Sequence, residues 1–373
     1  MVIANGSYGI KINMDLASAY KNKNVFITGH TGFKGSWLSL WLYKMGANVF
    51  GYSLRPDNIP NNYTASCVGD VLAGETIADI RNKKSLKEAI KKADPDYVFH
   101  LAAQPLVRES YNCPVETFEI NVIGSLNVLD SLQQYENQCS VVIVTSDKCY
   151  DNKEQLWGYR ESDPLGGHDP YSASKAAAEI AVSSYRKSFF PSEFLDEHGV
   201  KIATARAGNV IGGGDWAKDR IIPDAVRALS NGKNVIVRNP NSIRPWQHVL
   251  EPLSGYLTLA AKMYESKDPD LFSPWNFGPC CSDECTVSDL MDLFCGEWGC
   301  VAWEHLSSSN TPHEASVLRL CIDKAVYKLN WSPRWNLFEA IKRTASWYKE
   351  YYNNNTKSMQ NTCFADIDAY MEV

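Results

Sequence analysis

Three glycines spaced three residues apart constrain this chain more than any other feature. Residues 25–27 form an apolar run typical of a buried strand, and Gly29, Gly32 and Gly35 follow in the pattern G-x-x-G-x-x-G. Glycines let the backbone turn tightly and approach a ligand, and the N–H groups that open the next helix bind an anion. The pattern predicts a dinucleotide-binding turn. A loop whose glycines serve only its conformation is the alternative.

The composition is that of a large, mildly acidic globular protein. The 373 residues, 45% of them hydrophobic, can bury an extensive core. The formal net charge is −6 and the charges are scattered, which disfavours nonspecific binding to nucleic acid. No apolar run is long enough to span a bilayer, and residues 1–24 lack the order of a secretory signal. We expect neither a nucleic-acid nor a membrane partner, and a cytoplasmic location.

Eleven cysteines raise the question of a metal site. Five of them cluster, but their spacing is not a repeated C-x-x-C and no histidine lies among them. We therefore expect thiols in a reducing compartment and no bound metal. The clustered residues are Cys280, Cys281, Cys285, Cys295 and Cys300.

Strand and helix patterns alternate after the glycine turn. Strand patterns cover residues 48–54, 76–80, 96–103 and 140–145, with helical patterns between them. This alternation predicts an α/β fold with a doubly wound parallel sheet of the Rossmann type, which binds ligands at the carboxyl ends of its strands.

The same patterns predict how the chain divides. We expect a dinucleotide-binding domain at residues 24–206 and a smaller C-terminal substrate-binding lobe mostly within residues 207–350, from which some segments return to the first domain. Residues 1–23 are expected to be an N-terminal extension that packs a short helix on the domain edge. Residues 351–373 are expected to be a C-terminal tail.

Two later strand ends offer candidate dinucleotide contacts. Asp79 and Ile80 are an acid–apolar pair that could flank an adenine, although an ordinary strand terminus fits them equally well. Leu101, Ala102 and Ala103 follow a buried-strand pattern, and small residues there would admit a flat ligand.

The end of the second strand leaves the coenzyme phosphate open. Folds that prefer NAD usually place an acid there against the ribose 2′-hydroxyl. This chain has Ser53, Arg55 and then Asp57, and Arg55 could instead receive a 2′-phosphate. These residues alone do not separate NAD from NADP.

A hydroxyl, a carboxylate and an amine follow directly on a buried-strand pattern, as Ser146, Asp147 and Lys148. Downstream, Tyr171 and Lys175 are four residues apart in a helical pattern and so share one face. A free phenol ionises near pH ~10, but an adjacent ammonium and a positively charged nicotinamide both favour phenolate. We therefore expect Tyr171 to act as a base, with a surface helix pair as the alternative.

These motifs carry a resemblance to a known family. The glycine turn, the strand-end Ser146 and the Tyr-x-x-x-Lys pair resemble the extended short-chain dehydrogenases/reductases. The runs at 28–37, 146–151, 166–171 and 244–249 resemble, more narrowly, the CDP-glucose 4,6-dehydratases. The likeness extends from Asn24 to about Trp347.

The resemblance implies an NAD-dependent hydro-lyase that makes a 4-keto-6-deoxy sugar from CDP-D-glucose, as in deoxysugar and O-antigen biosynthesis. Tyr171 would take the proton of the sugar 4-hydroxyl while hydride leaves C4, and Ser146 would hydrogen-bond the reacting oxygen. Lys175 would lower the phenol pKa and hold the nicotinamide ribose. Asp147 would protonate the departing 6-hydroxyl. Lys148 would be the base at C5 or would stabilise the enolate electrostatically.

The resemblance also implies the ligand contacts and a homodimer joined through helices. Asn209 would contact the sugar diphosphate, and Arg244 would pair bidentately with it. His248 would do the same or merely pack. Gln104 and Arg220 complete the predicted substrate contacts. The predicted cofactor contacts are Gly29, Thr31, Gly32, Phe33, Gly35, Asp79, Ile80, Leu101, Ala102, Ala103, Tyr171 and Lys175.

Two alternatives remain on the sequence. A 4-epimerase, or a 4,6-dehydratase for another nucleotide sugar, would share Ser146, Tyr171 and Lys175. Asp147 and Lys148 argue against epimerisation, because a reaction confined to C4 needs no second acid–base pair. A non-catalytic nucleotide-sensing module is the other alternative, and it would have no reason to keep the Tyr171–Lys175 pair.

Overall fold

The structure is a computed structural model that describes residues 15–56, 60–280, 285–300, 303–305, 317–353 and 358–372. Its strands are β1 Asn24–Thr28, β2 Asn48–Ser53, β3 Gly74–Ile77, β4 Tyr97–His100, β5 Cys139–Val144, β6 Val200–Ala207, β7 Val210–Ile211, β8 Val235–Val237, β9 Ile243–Arg244, β10 Gln247–His248, β11 Pro274–Phe277, β12 Cys285–Thr286 and β13 Trp303–His305.

Helices alternate with these strands. The α-helices are α1 Leu16–Tyr20, α2 Phe33–Lys44, α3 Asn62–Ala65, α4 Lys83–Ala93, α5 Val107–Asn112, α6 Pro114–Phe118, α7 Gly124–Ser131, α8 Pro170–Phe189, α9 Leu195–His198, α10 Ile221–Ser230, α11 Leu250–Glu265, α12 Val287–Trp298, α13 Asp323–Leu329, α14 Leu337–Asn353 and α15 Gln360–Glu372. A π-helical turn, Glu119–Ile123, joins α6 to α7, and short 3₁₀ turns cover Val68–Val71, Asp147–Cys149, Ser192–Phe194 and Pro269–Leu271.

A seven-stranded parallel sheet organises the fold, in the order β11-β6-β5-β4-β1-β2-β3. The predicted doubly wound α/β fold is confirmed. The strand order reverses between β1 and β4, which is where such sheets open a crevice for ligands at their carboxyl ends. The backbone N–H of Leu101, just after β4, donates to the carbonyl of Thr28 at 3.0 Å, so the ends of these two strands are fixed together.

The glycine turn lies at this crevice. Gly29 has a φ of +79°, and a Cβ there would lie 2.7 Å from the backbone nitrogen of Ala102. A Cβ on Gly35 would lie 2.1 Å from the carbonyl oxygen of Gly29. Only glycine therefore lets the first turn of α2 pack against the loop that leaves β1.

Helix α2 is buried along nearly its whole length, because the sheet covers one side and α15 the other. Trp41 of α2 packs edge-on against Tyr370 of α15 at 5.5 Å between ring centroids. Lys44 Nζ also pairs with Asp368 of α15 at 2.9 Å. Residues 351–373, expected as a tail, thus contain a helix that seals the apolar outer face of α2.

The C-terminal half contributes both to the large sheet and to smaller sheets. Strand β11 lies beside β6 at the edge of the large sheet, while the pairs β7–β10, β9–β12 and β8–β13 form separate two-stranded sheets. Helix α1 packs against α11, and residues 1–14 lie outside the described residues. Among the helices the structure describes, none is long and apolar enough to cross a membrane.

The tight turn yields a stability prediction with an internal control. Gly35→Ala puts a methyl group against the Gly29 carbonyl, so we expect the free energy of unfolding to fall by ~1–3 kcal/mol. Gly296 lies inside α12, where an added Cβ meets no atom of the described residues within 4 Å. Gly296→Ala should therefore raise stability by ~0.5–1 kcal/mol. Urea denaturation measures both variants, and equal stability of the two would contradict this packing.

Candidate active site

Ser146 and Asp147 lie together at the carboxyl end of β5. Ser146 caps the 3₁₀ turn Asp147–Cys149, since its Oγ accepts from the backbone N–H of Lys148 at 3.2 Å. The same hydroxyl donates to Asp147 Oδ1 at 3.0 Å. Asp147 Oδ2 is buried, and no group in the described ranges hydrogen-bonds it. Lys148 is half-buried beside them.

Helix α8 brings the phenol and the second amine to this turn. Pro170 occupies its first position and Asp169 caps it by accepting from the backbone N–H of Ser172 at 2.9 Å, which fixes where the helix starts. The phenol of Tyr171, one residue later, lies close enough to the hydroxyl of Ser146 for that hydroxyl to lower the phenol pKa. Lys175 is buried one turn further on, and its Nζ donates to the carbonyl of Val144, at the end of β5, at 3.3 Å.

The electrostatics of the phenol differ from the prediction. Burial raises the pKa of Tyr171 to about 12 and outweighs the opposing effects of the Ser146 hydroxyl and of Arg220, while the negative charges of Asp147 and Asp169 add smaller increases. Burial also lowers the pKa of Lys175 to about 8. The protein's own groups therefore keep the phenol protonated at pH 7, because desolvation outweighs the nearby positive charge.

A buried ion pair fixes α8 to the strands that carry the other groups. Glu179, one turn beyond Lys175, accepts from Arg206 Nη2 at 2.9 Å, from Thr204 Oγ1 at 2.7 Å and from Thr145 Oγ1 at 2.5 Å. Burial alone would raise the pKa of Glu179, but Arg206 and the two hydroxyls lower it. This network was not predicted from the sequence, where its local signal is the four-residue spacing of Lys175 and Glu179.

The predicted cofactor residues surround the glycine turn. Thr31 Oγ1 shares a hydrogen bond with Ser53 Oγ at 2.8 Å and donates to the carbonyl of Leu54 at 2.9 Å, which ties the turn to the end of β2. Gly32 is exposed and Phe33 half-buried at the start of α2. Leu101, Ala102 and Ala103 are half-buried across from the turn.

The acid–apolar pair, Asp79 and Ile80, follows β3, the edge strand next to β2. Asp79 forms an ion pair with Arg81 at 2.6 Å, which lowers the pKa of Asp79. Ile80 is buried against Gly124. At the end of β2, Arg55 is exposed, and Asp57 lies outside the described residues.

Gln104 shapes the loop beyond these residues. Its side-chain amide donates to Leu106 O at 3.1 Å and to Thr117 Oγ1 at 3.0 Å, and accepts from Leu106 N at 2.6 Å. Asn121, in the π-helical turn, accepts from Gln104 N at 2.9 Å and donates to Ser174 Oγ in α8 at 2.8 Å. Asn121 was not predicted as a site residue, because in the sequence it is one polar position within an apolar helical pattern. Its π-helical turn is a feature that often occurs at functional sites.

Three of the predicted substrate residues, Asn209, Arg220 and Arg244, lie in the segment that runs from the end of β6 to β9. Arg220, at the start of α10, donates to Asp215 Oδ2 at 2.8 Å, and its charge acts on Tyr171. Asn209 is half-buried after β6, and Arg244 on β9 is mostly buried, with its Nη1 donating to the Ile243 carbonyl at 2.9 Å.

His248 is different, because it belongs to the core. It is 0% exposed, with ring centroids 6.0 Å from Trp37 and 4.9 Å from Trp335. Its Nδ1 accepts from the backbone N–H of Leu250 at 3.3 Å, and burial lowers its pKa to about 3. A neutral, enclosed imidazole cannot pair with a diphosphate, so the packing alternative describes His248 and the substrate contact is withdrawn.

Within the described residues, no group of three or more histidine, cysteine or acidic side chains could hold a metal ion. Of the clustered cysteines, Cys300 Sγ hydrogen-bonds the Cys295 carbonyl at 3.6 Å. Cys281 lies outside the described residues.

The site therefore joins a phenol, a hydroxyl, a carboxyl group and an ammonium at the carboxyl ends of parallel strands. This set lies beside a turn that admits a diphosphate. A phenol close to a hydroxyl suits proton transfer from an alcohol, and an enclosed carboxyl group suits proton transfer to a leaving oxygen.

Comparisons with known proteins agree with this arrangement. The family model described as GDP-mannose 4,6 dehydratase matches residues 26–344. A CDP-glucose 4,6-dehydratase from Salmonella typhimurium is 50% identical over 332 residues, which are 89% of this chain and 92% of that protein.

Solved structures share the fold. An epimerase from Methanothermobacter thermautotrophicus superposes with a TM-score of 0.74 at 23% identity, over 91% of this chain and 96% of that one. A dTDP-glucose 4,6-dehydratase from Bacillus anthracis, solved in complex with NAD, gives a TM-score of 0.73 at 19% identity, over 88% and 97% of the two chains. The family model and the 50%-identical relative show that this chain belongs to the GDP-mannose 4,6-dehydratase family of extended short-chain dehydrogenases/reductases.

Proposed function

We propose that this chain is a nucleotide-sugar 4,6-dehydratase that uses NAD to convert CDP-D-glucose into CDP-4-keto-6-deoxy-D-glucose. The observation that carries the reaction type is the enclosed carboxyl group of Asp147, which lies next to the Ser146–Tyr171 pair. The 50% identity with a CDP-glucose 4,6-dehydratase supports the choice of nucleotide and sugar.

The residues at the glycine turn fit a dinucleotide. None of the described side chains caps the N-terminus of α2, so its first N–H groups are open to a diphosphate. A Cβ on Gly32 would meet only the Gly29 carbonyl, so the approach to the turn is clear. Lys175 would hold the nicotinamide ribose. NAD bound there supplies the acceptor and later the donor of hydride.

In the oxidation step, Tyr171 takes the proton of the sugar 4-hydroxyl while Ser146 hydrogen-bonds the same oxygen. The raised phenol pKa opposes this step, so positive charge must come from elsewhere. Arg220 already lowers that pKa, and an oxidised nicotinamide adds a second positive charge. The phenol therefore becomes a base only when the site is complete.

In the elimination step, the 4-ketone makes the C5 proton acidic. Lys148 accepts this proton or stabilises the enolate electrostatically. Asp147 donates a proton to the 6-hydroxyl, which leaves as water. Because Oδ1 already accepts from Ser146, we assign that proton to Oδ2, the buried oxygen that has no partner among the described residues. Asp147, which is negatively charged where it acts on Tyr171, must take up this proton from solvent before the elimination. Hydride then returns to C6.

The substrate is held by side chains beside these groups. We assign Arg220, whose charge reaches Tyr171, and Asn209 to the sugar diphosphate, together with Arg244. Arg220 is held in place by Asp215. We assign Gln104 an indirect role, in which it shapes the loop on the substrate side, because its side-chain amide already hydrogen-bonds Leu106 and Thr117.

Isotope labelling separates this reaction from its alternatives. With CDP-glucose in heavy water, we expect a 4-keto-6-deoxy product that carries deuterium at C5, detected by mass spectrometry and proton NMR. The same assay with dTDP-, GDP- and UDP-glucose should give slower turnover. A 4-epimerase or a nucleotide-sensing module would give no C5-labelled deoxy product, and unlabelled deoxy product would refute the elimination step.

We also propose that the chain forms a homodimer through α6–α7 and α8. These neighbouring helices expose Val115 (71%), Ile180 (60%) and Ile123 (49%). Exposed apolar side chains concentrated in this way are typical of an interface between chains. A second copy is the partner we infer, because a two-fold interface brings the same patch from both copies together.

A charge placed in this patch tests the dimer. The double variant Val115→Arg and Ile180→Arg should be a monomer by light scattering at low micromolar concentration, because each arginine would be buried against its copy. Tyr327→Arg, on the exposed face of α13, is the control and should remain dimeric. A wild-type monomer, or a dimer that survives the double variant, would contradict this interface.

A further inference from the structure

A single segment of the chain, which follows β6 and ends at the start of α10, connects three parts of the site. It begins beside the enclosed carboxyl group, since a Cβ on Gly208 would lie 3.1 Å from Asp147 Oδ2. It then passes the start of α2, where a Cβ on Gly212 would lie 3.2 Å from Cζ of Phe33. It ends at Arg220, which we assign to the sugar diphosphate. The way this segment is held therefore decides where the guanidinium of Arg220 lies relative to the dinucleotide and to the acid–base groups.

Consecutive glycines let the middle of this segment pack tightly. A Cβ on Gly213 would lie 2.0 Å from Cγ of Trp347 in α14. A Cβ on Gly214 would lie 2.6 Å from Cβ of Asn62 in α3. Trp37 Nε1 in α2 also donates to the carbonyl of Gly213 at 2.9 Å. The segment is thus fixed between α2 and α3 of the dinucleotide-binding half and α14.

Tyr348 of α14 fixes the residue that follows these glycines. Its hydroxyl accepts from the backbone N–H of Asp215 at 2.9 Å and donates to the carbonyl of the same residue. Both side chains are buried. One phenol therefore holds the peptide groups on both sides of Asp215.

The carboxylate of Asp215 extends this placement to Arg220. Its Oδ1 accepts from the backbone N–H of Ala217 at 3.0 Å, and its Oδ2 accepts from Arg220 Nη1 at 2.8 Å. Among the described residues, no second carboxylate pairs with Arg220. The side chain of Arg220 is 35% exposed and therefore accessible to a ligand, whereas that of Asp215 is 6% exposed. A buried carboxylate thus orients an accessible guanidinium.

We propose that Tyr348 is a positioning residue for the sugar diphosphate, and that it acts through Asp215 and Arg220. The inference rests on the proposed function, in which Arg220 binds that diphosphate. A planar guanidinium binds phosphate oxygens best when its orientation allows two parallel hydrogen bonds. Holding the guanidinium in place before the ligand arrives also removes the entropic cost of ordering a long side chain on binding.

The placement of the diphosphate decides where the reacting atoms lie. The hexose is bonded to the diphosphate, so a shift of the diphosphate moves C4 away from Tyr171 and C6 away from Asp147. Reactions between positioned groups slow steeply when those groups are displaced by small distances. Tyr348 thus gives α14, which carries none of the proposed catalytic groups, an influence on the reaction.

A double-mutant cycle on CDP binding tests this chain of contacts without turnover. The dissociation constant of CDP is measured at saturating NAD⁺ by calorimetry, and by ligand-observed NMR where binding is weak. In Tyr348→Phe we expect the Kd of CDP to rise roughly fivefold to tenfold, which corresponds to the loss of one hydrogen bond. In the Arg220→Met background the same substitution should change Kd less than about twofold, because its effect passes through Arg220.

Two further variants separate positioning from folding. Tyr352→Phe removes a hydroxyl from the same helix, where it accepts from Trp216 Nε1 at 3.3 Å, and its Kd for CDP should equal that of the wild type. Asp215→Asn keeps the shape of the side chain but removes its charge, so it should raise Kd as Tyr348→Phe does. Urea denaturation checks that each variant is folded, and Asp215→Asn replaces Tyr348→Phe in the cycle if the latter is not.

An unchanged Kd of CDP in Tyr348→Phe would overturn the inference. So would an equal rise in the wild-type and Arg220→Met backgrounds, or in Tyr352→Phe, since the hydroxyl would then act on the fold in general. If Arg220→Met itself binds CDP as the wild type does, Arg220 is no diphosphate ligand and the inference fails. These results leave the proposed dehydratase intact. If the wild type does not bind CDP, the proposed nucleotide fails, and the inference fails with it.

Discussion

The buried ion pair between Glu179 and Arg206 is the interaction on which the site depends. Glu179 lies on the helix that carries Tyr171 and Lys175, and Arg206 lies on β6, the strand next to β5, whose last residue is two positions before Ser146. Removing one partner of such a pair typically costs ~3–5 kcal/mol, because the other charge is left buried. This buried pair therefore fixes the distance between the phenol of Tyr171 and the hydroxyl of Ser146.

The glycine turn supplies the second fixed point. Gly35 packs closely onto the carbonyl of Gly29, and this contact fixes where α2 begins. The open N–H groups at the N-terminus of α2 then face the crevice between β1 and β4. The dinucleotide and the acid–base groups thus meet because two independent contacts position them.

The features that could be predicted from the sequence are those that depend on the spacing of residues close together in the chain. The glycine turn, the strand-end Ser146 and Asp147, and the Tyr171–Lys175 pair are set by strand and helix periods, and their meeting follows from the geometry of a parallel sheet. The reaction type and the nucleotide were predicted from the family resemblance, because the spacing of residues does not indicate them.

What could not be predicted depends on tertiary burial. His248 resembles a ligand contact in its motif, yet two tryptophan rings distant in sequence enclose it. The phenol pKa was expected to be low because its charged neighbour was visible in the helix, whereas its desolvation was not. Residues 351–373 were expected to be a tail, but Tyr370 packs against Trp41 of α2, and Cys363 Sγ accepts a hydrogen bond from Trp347 of α14.

The central claim is that one site oxidises C4 and later reduces C6 with the same hydride. CDP-glucose that carries deuterium only at C4 tests this claim directly, with the product analysed by NMR. The account predicts that the deuterium appears at C6 of the 4-keto-6-deoxy sugar in the same molecule, as shown by mixing labelled with unlabelled substrate. Deuterium lost to solvent, or exchanged between molecules, would contradict it.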